Sequence, residues 1–228
     1  MSYSDYRRIA RENLAGNWGQ SILVAFVAAL FGALLTRASF SISIDAEILS
    51  KLPMFVQRYL ALAAKIASVL SLVQFVAGGT VQLGYTQYLL KQYNKESFDI
   101  KDLFSQFNRF AQGFLQHFLR SLYVILWSLL LVIPGIVKSY SYAMTPFIMA
   151  ENPDMTANEA ITASRELMDG HKGELFVLEL TFFGWILLNI LTLGIGSLAL
   201  NPYMNAARAA FYKDLTAPRT QNTEFIAN

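Results

Sequence analysis

Arg165, Glu166, Asp169, His171 and Lys172 fall within eight consecutive positions of the stretch SRELMDGHKGELF, residues 164 to 176. Carboxylates and an imidazole do acid–base work when they converge on a nucleophile, with a cation steadying the charge that develops. A helical reading pulls this set apart. Thr156-Ala157-Asn158-Glu159 has capping-box spacing, in which hydroxyl and carboxylate reciprocally satisfy free backbone amides. From there Ala157, Ala160, Ile161, Ser164, Leu167, Met168 and His171 form one stripe. Asn158, Glu159, Thr162, Arg165, Glu166 and Asp169 take the opposite face, and Gly170 is a C-terminal stop. Glu166 and Asp169 then face away from His171, Arg165 and Asp169 form an i, i+4 pair, and neither G-x-S-x-G nor H-E-x-x-H occurs. The expectation is the wet side of a short surface helix over 157–169, with no catalytic residue and no enzyme. His171 and Lys172 suit either anionic lipid headgroups or a helix end.

The other polar candidates sit inside apolar runs: Gln74, Gln82, Glu179, Asn189, Asn201, Asn205 and Arg208. Glu179 and Arg208 lie 15 and 14 positions from Gly194, so a hairpin about Gly194 to Gly196 brings them to one depth as an ion pair. Asn189, Asn201 and Asn205 would line the polar path of a small-solute transporter or channel. Tyr203 follows Pro202, a break that such a path could use.

What must position these residues is an oily chain. Charged residues are 15% of 228, against about 25% in soluble domains, and mean hydropathy is +0.38. Ile66 to Leu90 and Leu180 to Ala207 carry no charge, Ser121 to Ala150 carries Lys138 alone, and Gln20 to Thr36 is uncharged. About 20 apolar residues cross a hydrocarbon core as a helix, so each run is a candidate span. Arg7, Arg8 and Arg11 before an apolar stretch also allow a cleavable signal with Thr36-Arg37-Ala38-Ser39 at the cut, but the apolar stretch is long for that. A net charge of +2 gives no reason to expect nucleic acid. With no cysteine and two histidines, neither a metal centre nor a cofactor is expected.

The expected fold is all-α: one polytopic membrane helix bundle over 1–228, with amphipathic interfacial helices between hairpins. The surface helix is 4–15, the membrane segments are 20–37, 64–86, 119–133, 136–150, 175–193 and 196–213, and the interfacial helices are 99–118 and 157–169. In the second helix, Phe104, Phe107, Phe110, Phe114 and Phe118 share one face, as interface-lying helices require. Leu175 to Tyr212 would measure about 57 Å as one helix, which favours two spans. Ser121 to Ala150, about 45 Å, is one tilted span or two turning at Pro134-Gly135, leaving a five-segment alternative. Six segments put both termini and thirteen of eighteen basic residues inside, as the positive-inside bias prefers. Each hairpin carries a small-residue–aromatic pair in its returning arm: Gly84-Tyr85, Pro146-Phe147 and Pro202-Tyr203.

Ser164-Arg165-Glu166-Leu167-Met168 with Gly170-His171-Lys172, then Phe182-Phe183-Gly184-Trp185, then Asn201-Pro202-Tyr203, resemble a bacterial integral-membrane family, domain of unknown function 975. RRIARENLAGNWGQSI near the start is similar to that family's opening. The resemblance implies a multispan membrane protein and transfers no catalytic residue. Two functions stay open. One is a noncatalytic component binding membrane lipids or another membrane protein at the cytoplasmic face. The other is the transporter with its polar path; oligomeric state is not legible.

Overall fold

The computed structural model describes residues 1–31, 52–192 and 196–217. Among these the chain forms ten α-helices and no strand: α1 Tyr3–Leu14, α2 Trp18–Leu30, α3 Met54–Asn94, α4 Phe110–Leu130, α5 Val132–Ser141, α6 Thr145–Glu151, α7 Ala157–Leu167, α8 Lys172–Leu180, α9 Phe183–Leu191 and α10 Ser197–Thr216. Two short 3-10 turns, Ile100–Phe104 and Phe107–Arg109, precede α4. The expected segment 20–37 is helical as α2 up to Leu30, and its end lies outside the described residues, as do Arg37, Lys51, Arg219 and the expected turn at Gly194.

Burial divides the helices lengthwise. On α3, Met54, Phe55, Ile66, Val69 and Leu72 are exposed, whereas Thr80 to Thr86 are all buried. The same change occurs between Ile133 and Ser141, and from Leu198 to Pro202 on α10. One end of the molecule is thus a packed base around Tyr85, Phe147, Phe182, Phe211 and Tyr212. The other end is a set of apolar arms. Among the described residues, two helices, Met54–Asn94 and the run Ile100–Leu130, are long and apolar enough to cross a membrane, and their most apolar stretches are 0% and 11% buried.

Three units build the base, each a surface segment, an outgoing arm and a returning arm. Unit one is α1, α2 and α3; unit two is the 3-10 turns, α4 and α5–α6; unit three is α7, α8–α9 and α10. Every surface segment opens alike. An acidic side chain three residues on accepts from the N-cap backbone N–H: Asp5 from Ser2 at 2.9 Å, Asp102 from Asp99 at 2.9 Å, Glu159 from Thr156 at 2.8 Å. The residue after each acid, Tyr6, Leu103 or Ala160, is buried. The surface segment of unit two packs on α3, that of unit three on α6, and that of unit one on α10. Outgoing arms follow the same rule, α4 on α3, α8 on α5 and α2 on α10, so the units close a ring. Tyr85, Phe147 and Tyr203, the aromatics of the three returning-arm pairs, are all buried in it. Polar contacts stitch the joints. Lys91 donates to Asp102 at 2.6 Å, the Met1 ammonium to Asp214 at 3.1 Å, and Tyr212 to Glu151 at 2.7 Å. Ser21 on α2 meets the Tyr88 hydroxyl at 3.1 Å and accepts from Gln92 at 2.9 Å.

Several expectations need correction. The helix expected over 99–118 is not one element: 3-10 turns run to Arg109, and 110–118 is the inner part of α4. Phe114 and Phe118 stack on each other and meet Phe75 of α3 edge-on, while Phe104, Phe107, Phe110 and Phe118 stay 37–42% exposed. The segments 119–133 and 136–150 are redrawn as the rest of α4 and α5–α6. Ser121 to Ala150 is not a single tilted helix: it doubles back at Leu131, an extended residue (φ −161°, ψ 144°), and α4 packs on α5. Pro134 instead lies in the first turn of α5, where its missing N–H costs nothing. Gly135 makes the helix contact, since a Cβ there would sit 2.1 Å from Ser128 Oγ. The segment 64–86 is part of a 41-residue helix, about 61 Å long. The segment 175–193 breaks at Thr181-Phe182, where Thr181 Oγ1 donates to the Leu178 carbonyl at 2.7 Å. The helix expected over 157–169 ends at Leu167. Asp169 pairs with Lys172 at 3.2 Å in place of the expected Arg165, because Gly170 (φ +78°) turns the chain.

Where α3 crosses α4, a Cβ on Gly79 would meet the Gly113 carbonyl oxygen at 2.2 Å; around Gly173 nothing lies within 4 Å. Gly79→Ala is therefore expected to cost about 1–3 kcal/mol by overpacking, and Gly173→Ala to be neutral or stabilising, in thermal melts of the detergent-solubilised chain. The caps predict a pH dependence. Backbone donation from Ser2 and Thr156 holds the Asp5 and Glu159 carboxyls below their ordinary values. A depressed carboxyl stabilises fully above its unfolded pKa and stops doing so as pH falls through its folded value. The Tm gap between the native chain and Asp5→Asn/Glu159→Gln should hold at neutral pH and close below about pH 4.

Candidate functional site

The helix geometry brings Glu179, near the end of α8, against Arg208 in the middle of α10. Arg208 Nη2 donates to Glu179 Oε1, and Tyr140 OH, from α5, donates to Glu179 Oε2 at 2.8 Å. Their side chains retain 13% and 21% of full exposure for Arg208 and Glu179, so the pair sits at the edge of the base. The expected pairing is present. Tyr140 is a third member that sequence spacing did not reveal, because it comes from another unit.

This cluster lines a cavity of about 650 Å³ between units two and three. From α4 come Arg120, Ser121, Val124 and Ile125; from α5 come Ile136, Ser139 and Tyr140, with Ala143 just beyond; Glu179 and Arg208 close it. Two arginines and one carboxylate are thus among its lining residues. Both Glu179 oxygens are used as acceptors, which makes it a structural counter-ion. Val124, Ile125 and Ile136, farther along α4 and α5, make the rest of the lining apolar, Ile125 being 56% and Ile136 52% exposed. Arg120 was legible as a lone cation at the start of an apolar run; its place beside Arg208 was not.

The other candidates lie elsewhere. Arg165 and Glu166 are exposed on α7. His171 caps α8 and its Nδ1 meets Glu174 Oε2 at 3.0 Å, while Lys172 holds Asp169. The acid–base set of the SRELMDGHKGELF stretch is dispersed, each charge having a partner of its own turn where the structure gives one. Asn205 is fully buried and donates to the Asn201 carbonyl of its own helix at 2.8 Å. None of Asn189, Asn201 and Asn205 is among the residues lining the cavity. Tyr203 packs edge-on against Phe182, centroids 5.0 Å apart, and its hydroxyl accepts from Arg7 Nε at 3.4 Å. Arg7 also lies 5.4 Å over the Phe182 ring, so Tyr203 and Arg7 tie α1 to α10.

The family described as "Protein of unknown function (DUF975)" matches residues 1–137 and 129–219 of the chain. No curated protein and no solved structure matches it.

Removing one partner of a pair sheltered from water leaves the other charge unmatched, while removing both does not. Arg208→Ala should therefore lower the detergent melting temperature more than Arg208→Ala combined with Glu179→Ala. A coupling of about 1–3 kcal/mol is expected; additive losses would show that the contact carries no stability.

Proposed function

Given that the chain belongs to the DUF975 family of proteins of unknown function, we propose that it is a noncatalytic integral membrane component. Its apolar arms lie in the bilayer, and its base meets membrane lipids or a partner membrane protein at the cytoplasmic face. The observation that carries this reading is the inversion of apolar exposure. Ten large apolar side chains from Met54 to Val76 are exposed, and Leu129 to Ile133 are 68–77% exposed. At about 1.5–3 kcal/mol for each such side chain wholly withdrawn from water, and with these ten 40–74% exposed, the first stretch alone is worth on the order of ten to twenty kcal/mol. Lipid supplies that burial without a protein partner. Lys138, the lone charge of the second arm, lies 4.6 Å over the Trp127 ring, which eases its placement there.

Both termini on the cytoplasmic side follow from this reading. The Met1 ammonium meets Asp214 at the end of α10, and each hairpin leaves and re-enters the same base. The expected six membrane segments then become arms in three pairs, α2 with α3, α4 with α5, and α8–α9 with α10. Base-side positions carry most of the basic residues, as cytoplasmic surfaces do. Transport has weaker support, because the three asparagines line no part of the cavity at Glu179.

The chain has no cysteine, so single cysteines report sidedness without background. A membrane-impermeant thiol reagent should label Ser43→Cys in intact cells, and should label Glu166→Cys after lysis alone. External labelling at position 166 would overturn the orientation. Ile133→Cys reads the depth of the second hairpin: labelling from outside means that its tip crosses, and protection from both sides means that it ends within the bilayer.

A further inference from the structure

Resting on the membrane reading above, we propose that Arg7, at the joint where α1 closes the ring onto α10, binds the phosphate of one anionic phospholipid. The guanidinium is held but not spent. Its Nε donates to the Tyr203 hydroxyl at 3.4 Å, and its central carbon lies 5.4 Å over the Phe182 ring. Neither Nη1 nor Nη2 is enclosed, and neither has an acceptor among the described residues. The acids of the surrounding helices are engaged elsewhere. Asp5 and Glu12 of α1 meet Arg8, Glu174 and Glu179 of α8 meet His171 and Arg208, and Asp214 of α10 accepts from Tyr6 and the Met1 ammonium. Arg7 therefore keeps a full positive charge and an open donor edge.

Chemistry and position select the ligand. The Tyr203 oxygen accepts from Arg7 and keeps its own proton to donate. The Trp18 ring lies 6.4 Å from that of Tyr203, and its N–H has no acceptor among the described residues. Donors and one positive charge call for an anion rich in acceptor oxygens, and the fork of Nη1 and Nη2 matches two oxygens of a phosphate. The place is where three elements pass from base to arm. Phe182 is 1% exposed and Phe183 53%, Tyr203 is 7% and Leu198 41%, and α2 runs from Trp18 to the exposed Leu23 and Phe26. A lipid phosphate lies at that depth, with its chains along the apolar arms and tryptophan beside the head group. A zwitterionic head would add a cation for which α1, α8 and α10 keep no unengaged carboxylate, so an anionic head is preferred.

The test uses the full chain in a nonionic detergent, titrated with dioctanoyl phosphatidylglycerol, dioctanoyl phosphatidylcholine or inorganic phosphate, with bound species read by native mass spectrometry. The first anionic lipid should bind about fivefold tighter than the zwitterionic one, from the usual worth of one basic residue at an anionic lipid surface. Arg7→Gln should erase that preference. Arg11→Gln, one turn on at an exposed position of α1 and equal in charge change, should keep it. Tyr203→Phe, which retains both ring contacts, should also weaken the anionic lipid, and it decides the matter if Arg7→Gln does not fold. Equal binding of the two lipids, an unchanged preference in Arg7→Gln or Tyr203→Phe, or equal losses in Arg7→Gln and Arg11→Gln, overturns the proposal. Saturable phosphate binding that displaces the lipid would make the site one for a free anion and overturns it equally. If the cysteine pattern above holds while lipid selectivity fails, the fault is in the Arg7 site; if the pattern fails, it is in the membrane reading.

Discussion

In the proposed bilayer setting the arms have no hydrophobic drive toward one another, so their positions depend chiefly on the base. Every arm is rooted in a region where water still drives burial, and each unit's surface segment presses on the returning arm of the unit before it. Closure of unit one onto α10 makes the ring complete, so the position of any arm depends on all three joints. This explains why the tightest backbone approaches, Gly79 on Gly113 and Gly84 on Leu103, lie at the joint between units one and two.

The repeat is local chemistry before it is geometry. Ser2, Asp99 and Thr156 each begin a segment whose acidic side chain three residues on returns to the N-cap amide, fixing where the segment starts. The next residue is then aimed into the base. Tyr6 shows the consequence: its hydroxyl donates to Asp214, and burial with that carboxylate raises its pKa. The units differ in their arms. The first returns by one 41-residue helix, the second by two short helices broken at Tyr142, and the third by a helix carrying Pro202. Departures this large in otherwise parallel units explain why the repeat is marked in the sequence by the three returning-arm pairs and not by an even spacing.

The cavity arises from that irregularity. Because α5 stops at Ser141 and α8 at Leu180, the second and third arms do not pack to their full length, and space remains beside Arg208. Charged groups there face a desolvation cost that the Glu179, Arg208 and Tyr140 contacts offset. The polar cluster therefore marks the boundary between base and arm, and the same boundary gives the cavity one charged and one apolar wall.

Much of this was legible in the sequence. Helical class followed from charge-free runs and 3.6-residue stripes, the α7 cap from Thr156 and Glu159, and the Glu179–Arg208 pair from their equal distances to Gly194. These are properties of one helix or one hairpin, where periodicity and counting suffice. The sequence could not place the second hairpin's turn, because Pro134 and Gly135 serve equally as a break or as a first turn and a close contact. Nor could it split 99–118 into 3-10 turns and the root of α4, since the Phe spacing fits one continuous helix as well. The convergence of Arg120, Tyr140, Glu179 and Arg208 joins four helices of two units. Only the tertiary structure decided it, because the ring that sets those helices side by side is made of contacts far apart in the chain, which no local spacing encodes.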